Sequence, residues 1–219
     1  MLQRLQTLFQ WMPLGFKDKF SDTIVDKSAF KKDVPFDRMF GRSGEVVVEF
    51  GVGKGQFMKN YAIKYPQKNF FGVEKVPKWI RHTAERTDKA KLTNVKLVVS
   101  DAESILEVMP NQSVDEFYIL FSDPWPKRRT HHRRLIQNAL IDQIHKRLKP
   151  NGRLYIATDH AEYFEWIVKI MTPFMENHFK PCEDKIEFIS NYQTKYEREG
   201  RKINAIHVKK IPLYEEVSS

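Results

Sequence analysis

The segment that most constrains the fold is a short apolar run followed at once by a glycine-rich turn. Glu45–Phe50 is rich in β-branched residues, which predicts a strand, and Gln56–Tyr65 has the apolar spacing of a helix. Between them, Gly51-Val52-Gly53-Lys54-Gly55 allows the backbone to turn sharply and a ligand to approach it closely. Strand, turn and helix form the opening of a nucleotide-binding βαβ unit. The spacing is Gly-x-Gly-x-Gly rather than Gly-x-Gly-x-x-Gly, which argues against a nicotinamide dinucleotide.

Apolar runs and helical patterns alternate along the rest of the chain. Further strands are predicted at Asn69–Glu74, Val95–Asp101, Val114–Asp123, Arg153–Asp159, Lys185–Ser190 and Ile203–Lys209. Helices are predicted at Trp79–Lys91, Ala102–Met109, Leu135–Leu148 and Ala161–Met171. This order predicts an α/β fold: a mostly parallel seven-stranded sheet with helices on both faces and a C-terminal antiparallel hairpin.

Length and charge limit the class of protein. The 219 residues suit one domain, which we expect over residues 36–219, after an extension over residues 1–35 that is partly helical or flexible. Charge dominates residues 17–32, for which irregular structure is predicted.

Lys and Arg number 37 against 28 Asp and Glu, and the net charge of +9 favours a polyanionic partner. Cys182 is the only cysteine, which excludes an intrachain disulfide and a cysteine-based zinc site. We expect a cytoplasmic protein with no membrane span and no bound metal, either a monomer or a homodimer.

Acidic residues recur at the predicted strand ends. They are Glu49, Glu74, Asp101, Asp123 and Asp159. Because the ends of parallel strands lie along one edge of a sheet, these carboxylates are expected to gather where open α/β sheets bind ligands. Taken singly, each is equally consistent with a surface acid, and Asp101 and Asp159 with helix N-caps.

The stretch from Phe121 to Arg134 combines an acid, an aromatic ring and many cations. Pro124 and Pro126 end the preceding strand and stiffen the loop that carries Asp123. Trp125 offers a flat face for a base, and the cations Lys127, Arg128, Arg129, Arg133 and Arg134 can meet phosphates. The alternative is a solvated basic loop next to an incidental acid, which is the usual meaning of a charge run.

Glu49-Phe50-Gly51-Val52-Gly53-Lys54-Gly55 resembles the cofactor loop of class I S-adenosylmethionine-dependent methyltransferases, which have a Rossmann-like fold. The resemblance implies S-adenosylmethionine as the cofactor, bound at Glu49, Gly51, Gly53 and Gly55. It also implies that Glu74 accepts hydrogen bonds from the ribose hydroxyls and that Asp101 and Ala102 lie near the adenine.

Four further motifs narrow the resemblance to the bacterial-type tRNA (guanine-N7-)-methyltransferase family. They are Asp123-Pro124-Trp125-Pro126-Lys127, Arg133-Arg134-Leu135, Ala157-Thr158-Asp159 with Tyr163, and Thr194-Lys195-Tyr196-Glu197. The resemblance implies methylation of the variable-loop guanosine of tRNA, with Asp123 as the catalytic residue. It makes Lys127, Asp159, Thr194, Lys195, Tyr196 and Glu197 substrate-binding and makes Arg129, Thr130, His131, His132, Arg133 and Arg134 RNA-contacting. Thr130 stands where the family usually has histidine.

Other interpretations compete with this one. Thr194 and Glu197, three residues apart, also match a helix capping box. Trp79 and Trp166 lie within helical patterns, which favours a place in the core over contact with a cofactor. The chain could be a non-catalytic RNA-binding subunit on a methyltransferase scaffold, or a methyltransferase acting on protein or a small molecule. The intact glycine turn with its acids disfavours the first alternative, and the block of cations disfavours the second.

Overall fold

A computed structural model of the chain describes residues 20, 22–26, 35–183, 199–200 and 202–212. Within these residues the strands are β1 (Ile24–Val25), β2 (Val46–Phe50), β3 (Asn69–Glu74), β4 (Val95–Val99), β5 (Val114–Leu120), β6 (Leu148–Thr158), β7 (Phe179–Pro181) and β8 (Asn204–Lys210). The α-helices are α1 (Phe36–Phe40), α2 (Gln56–Lys64), α3 (Pro77–Lys89), α4 (Ala102–Leu106), α5 (Asn138–Arg147) and α6 (Ala161–Asn177). A 3-10 helix covers Arg128–Arg133.

The strands form one sheet in the order β1-β4-β3-β2-β5-β6-β8-β7. All pairings from β1 to β6 are parallel, whereas β8 pairs antiparallel with both β6 and β7. The predicted fold class is therefore confirmed. The described sheet has eight strands rather than seven because Ile24–Val25 adds a short parallel edge strand beside β4. The prediction of irregular structure was wrong for these two residues, since pairing with an existing strand outweighs the local charge.

Several predicted elements have different bounds; for example, α4 ends at Leu106 rather than Met109, and α6 continues to Asn177 rather than Met171. Helix α5 begins at Asn138 rather than Leu135, because residues 134–137 are held by side-chain contacts to α6. Strand β6 begins at Leu148 rather than Arg153, with a register shift against β5. On the side of β8 away from β6, the described antiparallel partner is Phe179–Pro181. The predicted strand Lys185–Ser190 lies outside the described residues.

Apolar side chains of the strands pack against helices on both faces of the sheet. In β2, Val46, Val48 and Phe50 face one layer, which includes α4, α5 and α6, and Val47 faces the other, which includes α2 and α3. Because both faces are covered, β2 and β3 are buried along their whole length, as in parallel sheets generally. The polar ends of these strands therefore emerge only at the sheet's edges. None of the described helices has the length and apolar character needed to cross a membrane.

Candidate functional site

A cleft of about 460 Å³ opens at the carboxyl edge of the sheet. It lies above β2 and its two neighbours β3 and β5, where successive connections leave in opposite directions and open α/β sheets bind ligands. The predicted site residues that line it are Gly51, Gly53, Glu74, Asp101, Ala102, Asp123, His132, Arg133 and Arg134. The structure therefore brings the glycine turn, three of the strand-end acids and part of the basic loop to one cavity.

The three glycines of the turn meet different steric demands. Gly51 and Gly53 have left-handed φ values of 83° and 49°, and a side chain added at either would point into largely open space. Gly55 lies outside the cleft lining, where a Cβ would come within 2.5 Å of the Thr83 side chain. Gly51 and Gly53 thus leave room for a ligand beside the backbone, whereas Gly55 lets α2 pack closely against α3.

The Glu74 carboxylate joins the glycine turn to the start of α3. Gly53 N–H donates to Glu74 Oε2 at 3.3 Å, and Val76 N–H donates to Oε1 at 2.9 Å. Glu74 is largely buried at the end of β3 yet lines the cleft. An acceptor held this firmly suits a pair of ligand hydroxyl groups.

Glu49 is buried behind the turn instead of lining the cleft. Burial, reinforced by the neighbouring Glu74 charge, raises the pKa of Glu49 well above its ordinary value. Its Oε2 atom and the Ser100 Oγ atom, which belongs to a cleft residue, are buried without a hydrogen-bond partner among the described residues. Such unsatisfied groups are rare in folded proteins and fit a site whose polar ligand completes the hydrogen bonding.

The acids that follow β4 and β6 differ in their roles. Asp101 caps α4, because its Oδ1 accepts a hydrogen bond from Ser104 N–H at 2.7 Å, and it remains exposed at the cleft. Asp159 is outside the cleft lining, and the residue that caps α6 is His160, whose Nδ1 accepts from Tyr163 N–H. Asp101 is therefore a helix N-cap that also lines the cleft, whereas His160 replaces Asp159 as the cap.

The loop after β5 carries Asp123 into the cleft. Asp123 is exposed to solvent, and both Phe121 and Trp125 adopt left-handed backbone, with φ values of 54° and 43°. Positive φ in bulky residues is strained and clusters at functional sites. The Arg133 guanidinium lies 5.0 Å from the centre of the Trp125 ring, a cation–π contact at the cleft wall.

Arg134 does not fit the prediction of RNA contact. Its side chain is 1% exposed, Nη2 pairs with Glu162 Oε1 at 2.8 Å, and Nε donates to the Pro124 carbonyl at 2.8 Å. The hydrogen bond from Arg134 keeps the pKa of Glu162 below its ordinary value. Two of the guanidinium nitrogens are bonded within the protein, so Arg134 holds the loop in place.

The other predicted loop residues lie along the 3-10 helix. Lys127, Arg129 and His132 are exposed, and the Thr130 hydroxyl donates to the Lys127 carbonyl at 2.7 Å. His131 is half-buried, with its Nε2 atom 3.4 Å from Glu162 Oε1. Of this group only His132 lines the cleft. The predicted substrate-binding residues Thr194, Lys195, Tyr196 and Glu197 lie outside the described residues.

The sequence interpretation missed some cleft residues, among them Trp79. Trp79 lines the cleft and is half-buried, so its assignment to the core was wrong. Lys78 and Lys54 lie 5.4 and 6.0 Å from the centre of its ring. Its place in the first turn of α3, soon after Glu74, was a signal that could have found it. Trp166 packs partly buried against the core and donates from Nε1 to the Ile136 carbonyl, as its predicted location in the core requires.

Comparison with known proteins defines the class. A sequence profile of the family described as "Putative methyltransferase" matches residues 43–209. A solved antibiotic-related methyltransferase superposes with a TM-score of 0.56 at 18% identity, covering 82% of this chain and 95% of its own. The chain is a methyltransferase with a Rossmann-like fold.

Two bacterial relatives identify the family, and both are named tRNA (guanine-N(7)-)-methyltransferase. The relative from Halorhodospira halophila is 35% identical over 188 residues, which cover 81% of each chain. The relative from Alkalilimnicola ehrlichii is 33% identical over 172 residues, which cover 75% of this chain and 70% of the relative. The chain therefore belongs to the tRNA (guanine-N7-)-methyltransferase family, and S-adenosylmethionine is its methyl donor.

Proposed function

We propose that the protein transfers a methyl group from S-adenosylmethionine to N7 of the variable-loop guanosine of tRNA. The observation that carries the proposal is the meeting of Gly51, Glu74 and Asp123 in one cleft, which the exposed Arg133 also lines. The family relatives, whose names give guanine N7 of tRNA as their target, support the same reaction.

The cleft residues on the β2, β3 and β4 side suit the cofactor. Glu74 would accept from the ribose hydroxyls, since its two oxygens are already oriented by Gly53 and Val76 N–H groups. Asp101 and Ala102 would lie beside the adenine, and Ser100 Oγ offers a buried hydrogen-bonding group nearby. Glu49, behind the turn, remains a proposed cofactor contact on the strength of the family resemblance. The bound cofactor supplies a methyl group activated by the adjacent sulfonium charge.

Asp123 would orient the guanine. N7 of guanine has an in-plane lone pair and no proton, so no general base is needed to make it a nucleophile. We infer that the Asp123 carboxylate accepts hydrogen bonds from guanine N1–H and the exocyclic amine. These contacts would align N7 with the methyl group and offset the positive charge that develops on the purine.

The basic loop would hold the RNA around that guanine. Lys127, Arg129 and His132 are exposed along the 3-10 helix, so they can meet phosphates, and Arg133 with Trp125 can stack on a base. Asp159 at the end of β6 and residues 194–197 remain proposed substrate contacts on the strength of the family resemblance. Extruding the guanine costs a few kcal/mol, which these contacts would offset.

The direct test is methyl transfer from labelled S-adenosylmethionine to unmodified tRNA, followed by nucleoside analysis. We expect 7-methylguanosine in the variable loop. Asp123→Asn should lower kcat by about 100-fold or more, because an oriented acceptor is removed from the reacting base. Cofactor affinity should stay near that of the wild type.

The matched control is Asp88→Asn, which removes an exposed acid near the far end of α3 and should leave kcat unchanged. Near-normal turnover by Asp123→Asn would remove Asp123 from the reaction. Binding of S-adenosylmethionine without a tRNA product would favour another substrate. Tight tRNA binding without cofactor binding would favour the non-catalytic scaffold.

A further inference from the structure

Both chain neighbours of Asp123 are tied to buried side chains. On one side, the Ser122 Oγ and Tyr163 hydroxyl oxygens are 3.2 Å apart, within hydrogen-bonding distance. On the other side, Arg134 Nε donates to the Pro124 carbonyl oxygen at 2.8 Å. Asp123 itself projects toward solvent, so its position is determined by the backbone on either side.

Tyr163 is a rigid support for the first of these contacts. It lies in the first turns of α6 and is completely buried. Its hydroxyl oxygen accepts a hydrogen bond from Ile136 N–H at 3.3 Å, so its single proton is available to Ser122. One phenol thus connects the end of β5 with the segment that leads into α5.

Arg134 is the support for the second contact. Its guanidinium lies beside the Tyr163 and Trp166 rings, at 5.3 and 5.1 Å from their centres, and pairs with Glu162 at 2.8 Å. We name this group the α6 clasp (Arg134, Glu162, Tyr163 and Trp166), since its members lie within or directly against α6. The carboxylate and the two rings fix the orientation of the buried Arg134 guanidinium, because its donors form a rigid planar fork.

The loop needs such support because its backbone is strained at both ends. Phe121 and Trp125, which flank the Ser122-Asp123-Pro124 segment, both have left-handed φ values. Strained conformations of this kind persist only where the surrounding structure holds them. Without the α6 clasp, the segment would relax toward ordinary extended backbone and carry Asp123 away from the cleft.

We propose that Arg134 and Tyr163 are positioning residues, which hold Asp123 in its reactive place by its two chain neighbours. The inference rests on the proposed function, in which Asp123 orients the guanine. Neither residue touches the reacting atoms. Their effect on the reaction passes through Ser122 and Pro124, and a displacement of about 1 Å is enough to slow such a reaction about 100-fold.

Tyr163→Phe is the sharpest test, because it removes one oxygen and keeps the ring beside Arg134. We expect kcat for tRNA methylation to fall about 10- to 100-fold. The KM for tRNA and the dissociation constant for S-adenosylmethionine should stay within about threefold of wild type, since the phosphate-binding and cofactor-binding groups are untouched.

Limited digestion with trypsin gives a second readout that does not depend on activity. Cleavage after Lys127, Arg128 and Arg129 reports opening of the loop, and Tyr163→Phe alters none of these sites. We expect cleavage there to be several-fold faster than in the wild type, about 3- to 10-fold, under native conditions.

The matched control is Tyr61→Phe, which removes the hydroxyl of another buried tyrosine, on α2 outside the cleft lining. It should change neither kcat nor the cleavage rate at the loop. For Arg134, the Gln variant should resemble Tyr163→Phe, and the Lys variant should restore part of kcat, because an ammonium keeps the positive charge but lacks the rigid planar fork of the guanidinium.

A wild-type kcat and an unchanged cleavage rate in Tyr163→Phe would overturn the proposal, as would a defect seen only in KM. If the wild-type protein makes no 7-methylguanosine, the proposed function fails by itself. The trypsin rates then still decide whether the α6 clasp holds the loop, with faster cleavage supporting that part and unchanged cleavage overturning it.

Discussion

Two buried glutamates on neighbouring strands experience opposite electrostatic environments. Glu49, near the carboxyl end of β2, has a raised pKa and an oxygen without a partner among the described residues. Glu116, on β5 toward the amino edge of the sheet, is within 2.7 Å of Lys68, Arg153 and the Tyr118 hydroxyl. Burial alone would raise the pKa of Glu116, but the contacts with Lys68 and then Tyr118 and Arg153 lower it overall. Burial without a cationic partner therefore favours the neutral form of Glu49, whereas the contacts with cations favour the charged form of Glu116.

Glu49→Gln should stabilise the ligand-free protein near neutral pH. A carboxyl whose folded-state pKa is raised stabilises the fold fully below its ordinary value of 4.5, and that contribution disappears as the pH rises through the folded-state pKa. The variant avoids this decline, so its thermal midpoint should exceed that of the wild type by about 2 °C or more at neutral pH. Thermal unfolding at several pH values measures the difference, which should widen as the pH rises. Its affinity for S-adenosylmethionine should fall.

Glu116→Gln should have the opposite effect on stability. Because the folded-state pKa of Glu116 is lowered, its contribution is present above the ordinary value of 4.5 and disappears as the pH falls through the folded-state pKa. Removing the charge leaves Lys68 with Glu45 as its remaining acidic partner and should cost about 1–3 kcal/mol at neutral pH. Urea unfolding from neutral pH into the range below pH 4.5 checks both the destabilisation and its decline as the pH falls. Equal stability of Glu49→Gln and Glu116→Gln at neutral pH would contradict the opposite effects expected for them.

At the scale of elements, β8 stabilises the end of helix α5. The Lys210 ammonium donates to the carbonyl oxygens of His145 and Leu148, at 2.7 and 2.8 Å. These acceptors are at the carboxyl end of α5, where helix carbonyls lack partners within the helix and a cation is favourable. Lys210 is nearly buried, and its burial lowers its pKa. A strand far along the chain thus completes a helix that it does not adjoin in sequence.

Lys210→Met should destabilise the fold and change the titration of His145. Two carbonyls would be left without their donor, at a cost of about 1–3 kcal/mol. Burial, and after it the charge of Lys210, lowers the pKa of His145 to about 4, so removal of that charge should raise it. In the wild type the unfolded chain takes up a proton at His145 below about pH 6.5, whereas the folded chain does not until about pH 4. The stability of the wild type should therefore decline as the pH falls from about 6.5 to about 4. Urea unfolding and an NMR titration of the imidazole measure both effects, and an unchanged His145 pKa would contradict the charge contribution.

At the scale of the whole molecule, the net positive charge differs in its role from the exposed cations near the cleft. The net charge is +9, and Arg133, an exposed cation of the 3-10 helix, lines the cleft that holds Asp123. Arg134, which belongs to the same sequence block, is buried. Long-range attraction of a polyanion depends on the surplus, whereas contact with phosphate depends on the exposed members only.

The salt dependence of tRNA binding should separate the exposed cations from the buried one. The logarithm of the tRNA association constant falls linearly with the logarithm of the salt concentration. Removing a cation that neutralises one phosphate makes this slope shallower by about 0.7 to 0.9. The double variant Arg129→Gln and Arg133→Gln should therefore reduce the slope by about 1.5, whereas Arg134→Gln should leave it unchanged. Lys89→Gln, an exposed site at the far end of α3, is the control and should bind like the wild type. If Arg134→Gln reduced the slope by about 0.7 to 0.9, its guanidinium would be shown to contact a phosphate.

Local patterns predicted most of the fold, and the misses have local causes. The β-branched and apolar runs predicted β2 and β3 within one residue, because each is buried on both faces and its residue types have little choice of structure. The start of α5 was wrong, since residues 134–137 fit a helical pattern but are engaged by α6. Strand β1 was missed because two residues carry almost no periodicity. In the site, Trp79 was assigned to the core because a tryptophan in a helical pattern looks the same in either place.

The sequence by itself determined the chemistry that can meet at the site. The glycine turn, the acids after consecutive strands and the cations after Asp123 are all local patterns, and parallel topology brings strand ends to one edge regardless of detail. Only the tertiary structure decided which of those charges face a ligand. In sequence, Glu49 resembles the other strand-end acids and Arg134 the other cations of the loop, yet packing buries Glu49 behind the turn and Arg134 against α6. Burial depends on what lies across the chain in space, and the partners of Arg134 at Glu162, Tyr163 and Trp166 are about 30 residues away.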